Sequence, residues 1–272
     1  MKITHRKITQ TLLLSSIMLA FAMPILAQDK AAGAKQVDAL TATQTVSPEA
    51  QAVLDRMSTF LQGLKSFSIR SVSTRDEVVA FGYKLQHNET STITVQKPNM
   101  LRSEVIGDIR NRTFVFDGKN LTIFSPDDNA YAIAPAPETL GKLIGGLLNA
   151  GIEMPTIDVL VQASNGNIAE NVRGGILVGE TLIEGVACDH LAFRQADADW
   201  QIWVEQGARP LLKKLVVTTR YEVGDPQYTA VLNWNLNPKI DSNTFVFTPP
   251  KGANKIPFAD PAAINAIEPK GE

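Results

Sequence analysis

A succession of short strand-like segments, each closed by turn residues, constrains the fold of this chain most. About eleven segments alternate apolar and polar residues or are rich in β-branched residues, as β-strands are. Turn sequences such as Asp117-Gly118 and Glu184-Gly185 separate them, and Asp-Gly between two strands is typical of a hairpin. The sequence therefore predicts an antiparallel sheet in which segments adjacent along the chain pair with each other.

The predicted strands form two groups with a helical segment between them. The first group covers residues 67–73, 90–96, 100–106, 112–116, 121–124 and 131–133. The second group covers residues 176–183, 187–194, 199–205, 211–220 and 228–235, and a last strand is predicted over 244–247.

An amphipathic helix is predicted before the first strand. Ser47 is a suitable N-cap, and Pro48 fits the first helical position, where its missing N–H is not needed. Apolar residues then recur at the i, i+3, i+4 spacing of one helix face. These residues are Ala50, Val53, Leu54, Met57, Phe60, Leu61 and Leu64.

A second helical region interrupts the strands. Residues 138–150 carry Leu140, Leu143, Ile144, Leu147 and Leu148 at helical spacing. A short helix is predicted over 155–162, with Ile157, Leu160 and Val161. Glycines in the first of these helices each lower its stability by about 1 kcal/mol relative to alanine, which predicts an adaptable segment.

The N-terminus has the three parts of a secretory signal peptide over residues 1–27. A basic start precedes an apolar run over 12–22, and Ala27 is followed by polar Gln28. The apolar run is shorter than the roughly 20 residues that a spanning helix needs. We therefore predict export to the periplasm, with cleavage after Ala27.

The chain outside the predicted domain lacks periodic apolar patterns. Residues 28–46 are predicted to be a flexible leader, and residues 259–272 a disordered tail. The folded domain is then 47–258. Because no later segment is apolar enough to span a membrane, any membrane contact is expected to be peripheral.

Charge disfavours one class of partner. Without the three basic residues of 1–27, 23 Lys and Arg face 28 Asp and Glu, a formal net charge of −5. Binding of nucleic acid is therefore not expected, because phosphate contacts need clustered Lys and Arg.

The sequence carries no motif of a metal or cofactor site. Zinc-ligand spacing, a nucleophile elbow, a phosphate-binding glycine loop and a dinucleotide fingerprint are all missing from it. Cys188 is predicted to be a small half-buried apolar residue, His190 a surface or satisfied histidine, and Asp117, Asp127 and Asp128 turn residues. No cofactor and no enzyme activity are expected. A hydrolase with paired carboxylates stays open, because such pairs have no local spacing rule.

Several local sequences carry a resemblance to a known family. They are FVFDGKNL at 114–121, SPDDNAY at 125–131, WQIWVE at 200–205 and NTFVF at 243–247. With the order of signal, helix, strands, helical insert and strands, they resemble the LolA/LolB-like superfamily of periplasmic lipoprotein carriers. The chain resembles more closely an uncharacterised family of predicted periplasmic proteins within that superfamily.

The resemblance implies a mainly β fold with α-helices, of the α+β class. Its expected form is a curved antiparallel half-barrel of about eleven strands with lid helices over a hydrophobic cleft. It also implies a non-enzymatic periplasmic carrier or binding protein for a lipid or lipid-modified protein. The alternative is a protein-binding or sensor module on the same fold, with an envelope protein as its partner.

Apolar helix residues are the candidates for contact with an acyl chain in that cleft. They are Met57, Phe60, Leu61, Leu140, Leu143, Ile144, Leu147, Leu148, Ile157 and Leu160. The simpler interpretation, that these side chains only pack the core, stays open.

Overall fold

The structure is a computed structural model that describes residues 45–258. The predicted signal peptide, the predicted tail over 259–272 and the leader up to residue 44 lie outside these residues.

Twelve strands of the described chain form one open, curved sheet. They are β1 (Ser66–Val78), β2 (Lys84–Gln96), β3 (Met100–Gly107), β4 (Arg112–Phe116), β5 (Asn120–Ser125), β6 (Ala130–Pro135), β7 (Gly174–Ile183), β8 (Val186–Arg194), β9 (Ala198–Glu205), β10 (Leu212–Thr219), β11 (Gln227–Asn235) and β12 (Asn254–Lys255). The order across the sheet is β12-β6-β5-β4-β3-β2-β1-β11-β10-β9-β8-β7. The predicted α+β class with an open, mainly antiparallel sheet is confirmed.

Two meanders, β1–β6 and β7–β11, make up this sheet. Neighbouring strands within each meander are antiparallel, and β11 joins the two by pairing antiparallel with β1 from Ser68↔Asn235 to Arg75↔Tyr228. The short β12 pairs parallel with β6 at one edge. The first strand of the chain therefore lies at the centre of the sheet.

Three α-helices accompany the sheet, and capping residues mark their ends. They are α1 (Pro48–Gly63), α2 (Leu140–Asn149) and α3 (Pro155–Asn165). The Ser47 hydroxyl accepts a hydrogen bond from the Ala50 N–H at 3.2 Å, and Thr139 caps α2 in the same way. Gly166 ends α3 with a φ of 77°, a conformation that glycine adopts without strain. α1 contacts α3 and β7, and α3 contacts α2.

The core lies between these helices and one face of the sheet, which we call the inner face. Strand residues two apart point to the same face, and those of the inner face share a single buried cluster with the helices. The best-buried members of that cluster, each no more than 2% exposed, include Leu54, Met57, Leu61, Ile69, Leu101, Phe116, Leu143, Ile144 and Leu147.

The strand predicted over 244–247 is wrong. These residues lie in a turn and an irregular segment. The Asp241 carboxylate accepts hydrogen bonds from the Asn243 N–H at 2.9 Å and from the Thr244 hydroxyl at 3.1 Å. Such side-chain bonds give the backbone an alternative to a strand ladder, and they outweigh the β-propensity of the apolar residues that follow.

The hairpin of β1 and β2 is longer than its apolar pattern predicts. Its pairing runs to Val78↔Lys84, well beyond the predicted ends of the two strands. Polar side chains support this extension, with a distance of 3.5 Å between Lys84 Nζ and Asp76 Oδ2. The hairpin ends in a short 3-10 turn in which Phe81 is fully exposed and has a φ of 64°.

Leu143 and Leu148 of α2 differ in burial, so their substitution tests how much buried packing contributes to stability. Leu143 is 0% exposed, whereas Leu148 is 39% exposed. We expect Leu143→Ala to lower the free energy of unfolding by about 2–5 kcal/mol through loss of buried contacts. Leu148→Ala, the matched control, should cost less than about 1 kcal/mol. Chemical denaturation of both variants measures this, and equal losses would contradict the packing described above.

Candidate functional site

Cross-strand register divides the inner face into rows of different polarity. The upper end of the sheet is the end that carries the β1–β2 turn. The row nearest the lower end is apolar and consists of Phe67, Val95, Leu101, Phe116 and Leu121. The next row is Ile69, Ile93, Ser103, Phe114 and Ile123, and the third is Ser71, Ser91, Val105 and Arg112. Polarity therefore increases toward the upper end.

An upper cavity of about 590 Å³ lies over the second and third rows. The connection between α2 and α3 lines it on the other side. Its apolar lining comes from Ile93, Val105, Ile109, Phe114, Ile123, Ile152, Met154 and Ile157. The volume falls within the range of about 300–1,000 Å³ that is usual for small-molecule sites.

A lower cavity of about 550 Å³ lies between α2, α3 and the start of the β1–β2 pair. Its lining is largely apolar and includes Phe67, Ile93, Val95, Pro98, Leu140, Ile157, Leu160 and Val161. Because Ile93 and Ile157 line both cavities, the two spaces adjoin beneath α3.

Hydroxyl groups stand between the apolar and charged parts of the upper cavity. Tyr228 and Thr156 share a hydrogen bond of 3.0 Å between their hydroxyls, and Ser73 also bonds to Tyr228. Burial raises the pKa of Tyr228, so this phenol stays neutral at physiological pH. The Ser103 hydroxyl is buried in the cavity lining and has no hydrogen-bond partner among the described residues.

Charged side chains surround the mouth of the upper cavity. Arg75, Arg110 and Arg112 contribute positive charge, and Glu89 and Glu153 negative charge. Arg75 Nη1 lies 3.3 Å from Glu153 Oε2, which links β1 to the α2–α3 connection. Both side chains are substantially exposed, so this ion pair is weak and easily exchanged.

Lys97 and Lys142 both line the lower cavity, and Lys97 is bonded to α1. Lys97 Nζ donates a hydrogen bond of 2.6 Å to the Leu61 carbonyl at the C-terminal end of α1. Burial lowers the pKa of Lys97. Its bond to the helix end offsets part of the cost of burying the ammonium group.

The structure divides the predicted ligand contacts into three sets. Leu140, Ile157 and Leu160 line the lower cavity, and Ile157 also lines the upper one. Leu148 is exposed, and Phe60 is half-buried beside the core. Met57, Leu61, Leu143, Ile144 and Leu147 are buried in the core and line neither cavity. Contact of any of them with a ligand stays a prediction.

The other reactive or titratable side chains that the sequence analysis named are held by structural contacts. Cys188 is free and fully buried rather than half-buried, and burial raises the pKa of its thiol. His190 stacks on Trp203 and bonds to Gln201, so it is a satisfied histidine. Asp117 accepts hydrogen bonds from two backbone N–H groups of its own turn. The Asp127 carboxylate accepts hydrogen bonds from the backbone N–H and the side-chain amide of Asn111.

Neither a metal-binding cluster nor a membrane-spanning helix is present in the described residues. No group of three or more His, Cys, Asp or Glu side chains in residues 45–258 is placed to hold a metal ion. No helix within these residues is long and apolar enough to cross a membrane.

Comparison with known families decides the family of this chain. The family described as "Predicted periplasmic protein (DUF2092)" matches residues 50–259. The chain belongs to this family. The protein is therefore periplasmic, as its N-terminus predicts, and the predicted resemblance to a family of periplasmic proteins is confirmed. No curated protein matches the chain in sequence.

Solved structures with a similar arrangement share little sequence with this chain. An uncharacterized conserved protein from Thermus thermophilus is 13% identical with a TM-score of 0.46, covering 77% of this chain and 99% of its own. The Mycobacterium tuberculosis lipoprotein LppX is 14% identical with a TM-score of 0.44, covering 72% and 100%. The LolA superfamily protein NE2245 from Nitrosomonas europaea is 14% identical with a TM-score of 0.29, covering 73% and 97%.

Sequence reasoning missed the strand contribution to the cavities. Ser103, Phe114 and Ile123 belong to three different strands and meet only through the register of the sheet. The serines on alternate positions of β1 were a usable signal, because inward-facing serines interrupt an otherwise apolar face.

The buried serines of the upper cavity have contrasting environments. The Ser103 hydroxyl has no partner in the described chain, whereas Ser73 bonds to Tyr228. We expect Ser103→Ala to leave the free energy of unfolding unchanged or raise it by about 1 kcal/mol, since an unsatisfied group is removed. Ser73→Ala should lower it by about 1 kcal/mol. Equal losses in urea denaturation would mean that Ser103 has a partner in solution.

Proposed function

We propose that this protein is a periplasmic carrier or binding protein that buries an acyl chain between α3 and the inner face of the sheet. The chain would belong to a lipid or to a lipid-modified protein. The observation that carries the proposal is a pair of adjoining cavities that share Ile93 and Ile157, the lower one largely apolar and the upper one apolar in its inner part. The periplasmic location supports it, because acylated molecules that cross this compartment need their apolar parts covered.

The energetics of such binding are adequate. Each buried methylene contributes about 0.8 kcal/mol, so roughly ten of them contribute about 8 kcal/mol. Part of this offsets the loss of translational and rotational freedom on association. An apolar tail in these cavities would therefore bind usefully without a large set of polar contacts.

The position of α3 suggests how a ligand enters. The first turn of α3 contributes Ile157 to the lining of both cavities. It follows a connection that contains Gly151, whose φ of 73° is one that glycine tolerates. A small outward movement of α3 would widen both spaces together.

A non-enzymatic role agrees with the polar groups of the cavities. The hydroxyls of Tyr228 and Thr156 bond to each other, and burial keeps the phenol protonated by raising its pKa. These groups are suited to hold a polar head or water rather than to transfer protons at neutral pH.

Extraction of bound lipid tests the proposal directly. We expect the protein, purified from a bacterial periplasm without detergent, to yield a stoichiometric acylated species by mass spectrometry. A double variant, Ser103→Leu with Val161→Phe, places extra apolar volume in both cavities. It should retain less than about a tenth of that ligand, as a loss of about 1.4 kcal/mol or more in affinity implies.

The control is Val72→Phe, which adds the same bulk as Val161→Phe at a site that is 43% exposed on the other face of β1. It should retain the ligand fully. Thermal unfolding of each variant verifies the fold. A wild-type protein that carries no acylated species and takes up none from vesicles would refute the carrier function.

A protein-binding or sensor module is the second candidate, and the tip of the β1–β2 hairpin favours it. Phe81 is 100% exposed and Tyr83 is 67% exposed, and exposed aromatic clusters often mark interaction sites. If Phe81→Ser abolishes capture of an envelope protein while the cavities remain empty, this second function replaces the first.

A further inference from the structure

The upper cavity changes from apolar to cationic along the strands. Ile93, Phe114 and Ile123 form its inner part, and Arg112 stands one row higher, paired across the strands with Val105. Arg110 follows in the turn between β3 and β4 and also lines the cavity. An occupant with its tail in the inner part would therefore present its other end to these two arginines.

Arg75 forms an ion pair with a carboxylate, whereas Arg110 and Arg112 form none within the described residues. Arg75 pairs with Glu153. Arg112 Nη1 donates to neutral groups, at 2.8 Å to the Asn111 carbonyl and at 2.6 Å to the Ser125 hydroxyl. The Arg110 side chain has no hydrogen bond or ion pair within residues 45–258.

Two carboxylates lie near these arginines, and neither forms a salt bridge with them in the part of the chain that the structure describes. The Asp127 carboxylate, beside Arg112, is occupied by the backbone and side-chain amides of Asn111 at 2.7 and 2.6 Å. Glu89 lines the cavity in the row above Arg112. Because the charge of Asp127 acts on Arg112, Arg110, which has no partner in residues 45–258, is the more available of the two guanidinium groups.

An unused donor lies deeper in the same cavity. The Ser103 hydroxyl is 1% exposed within the lining and lacks a partner in the described chain. It stands in the row of Ile93 and Phe114. A buried hydroxyl without a partner is costly, and an oxygen of a bound molecule would satisfy it.

We infer that the upper cavity binds an acyl-chain ligand whose head is anionic, a carboxylate or a phosphate, held by Arg110 and Arg112. The tail lies against Ile93, Phe114 and Ile157, and Ser103 donates to an oxygen of the ligand. Arginine suits this role because its guanidinium donates in parallel to carboxylate or phosphate oxygens. This inference rests on the proposed burial of an acyl chain and adds the chemistry of the head.

The test compares three ligands of equal chain length below their aggregation concentrations. They are hexadecanoate, hexadecyl phosphate and the neutral hexadecanol, with affinities measured by displacement of a fluorescent acyl probe. We expect at least one anionic ligand to bind about tenfold or more tightly than hexadecanol. The stronger of the two anionic ligands identifies the head group.

Substitution of the arginines tests whether they cause the preference for an anionic ligand. Arg110→Gln and Arg112→Gln should each reduce the affinity for the preferred anionic ligand about tenfold and leave that for hexadecanol unchanged. Arg70→Gln, at an exposed position on the outer face of β1, is the matched control and should change neither. Because Arg110 is exposed and has no partner in the described chain, its variant keeps the test valid if Arg112→Gln unfolds.

The outcomes separate this inference from the proposed function. Equal affinities for all three ligands, unaffected by the arginine variants, would overturn the anionic head and leave acyl-chain burial intact. No binding of any of the three would overturn both. Displacement of the bound ligand by acetate or inorganic phosphate at similar concentrations would also overturn the inference, because it would show an anion site without a tail.

Discussion

The pairing of β1 with β11 turns two separate meanders into one sheet. It is the long-range contact on which the inner face depends, because it places Ile69 beside Trp234 and Ser71 beside Leu232. Without it, each meander would have a free edge and an apolar face too narrow to be covered by three helices. The ladder also fixes the register of every other strand relative to the helices, since each strand is paired only to its neighbours.

Register is what makes the cavities amphipathic. A strand alternates its faces with a period of two residues, so one residue of slip would turn Ile93 and Ser103 outward together. Because successive rows run from phenylalanine and leucine to serine and arginine, the gradient lies along the strands. The helices cover the apolar rows, and they leave the polar rows open toward the solvent.

The local elements were predictable because their causes are local. Ser47 and Pro48 mark the start of α1, and apolar spacing defines its buried face. Leu148 shows the limit of this reasoning. It lies about 80° around the helix from Leu140 at about 100° per residue, at the margin of the buried stripe, and only the packed neighbours decide on which side such a residue falls.

The candidate site was less predictable because its causes are not local. The sequence indicated helix residues, of which Leu140, Ile157 and Leu160 line a cavity. Ser103, Phe114 and Arg112 had no helical pattern to mark them, and they converge only when β3 and β4 are in register. The hydrogen bonds of Asp241 likewise overrode a β-rich sequence.

The central position of the first strand has a consequence for how the molecule is made. During synthesis, α1 and β1–β6 appear long before β11, the strand that β1 needs on its second edge. α1 in turn packs against α3 and β7, which also come later. Until β7–β11 are available, α1 and β1–β6 have an unpaired strand edge and an uncovered apolar face, a state that is prone to aggregation. Because β1 pairs with strands from both halves, the sheet is complete only when β11 is present, and the topology favours folding as a whole rather than segment by segment.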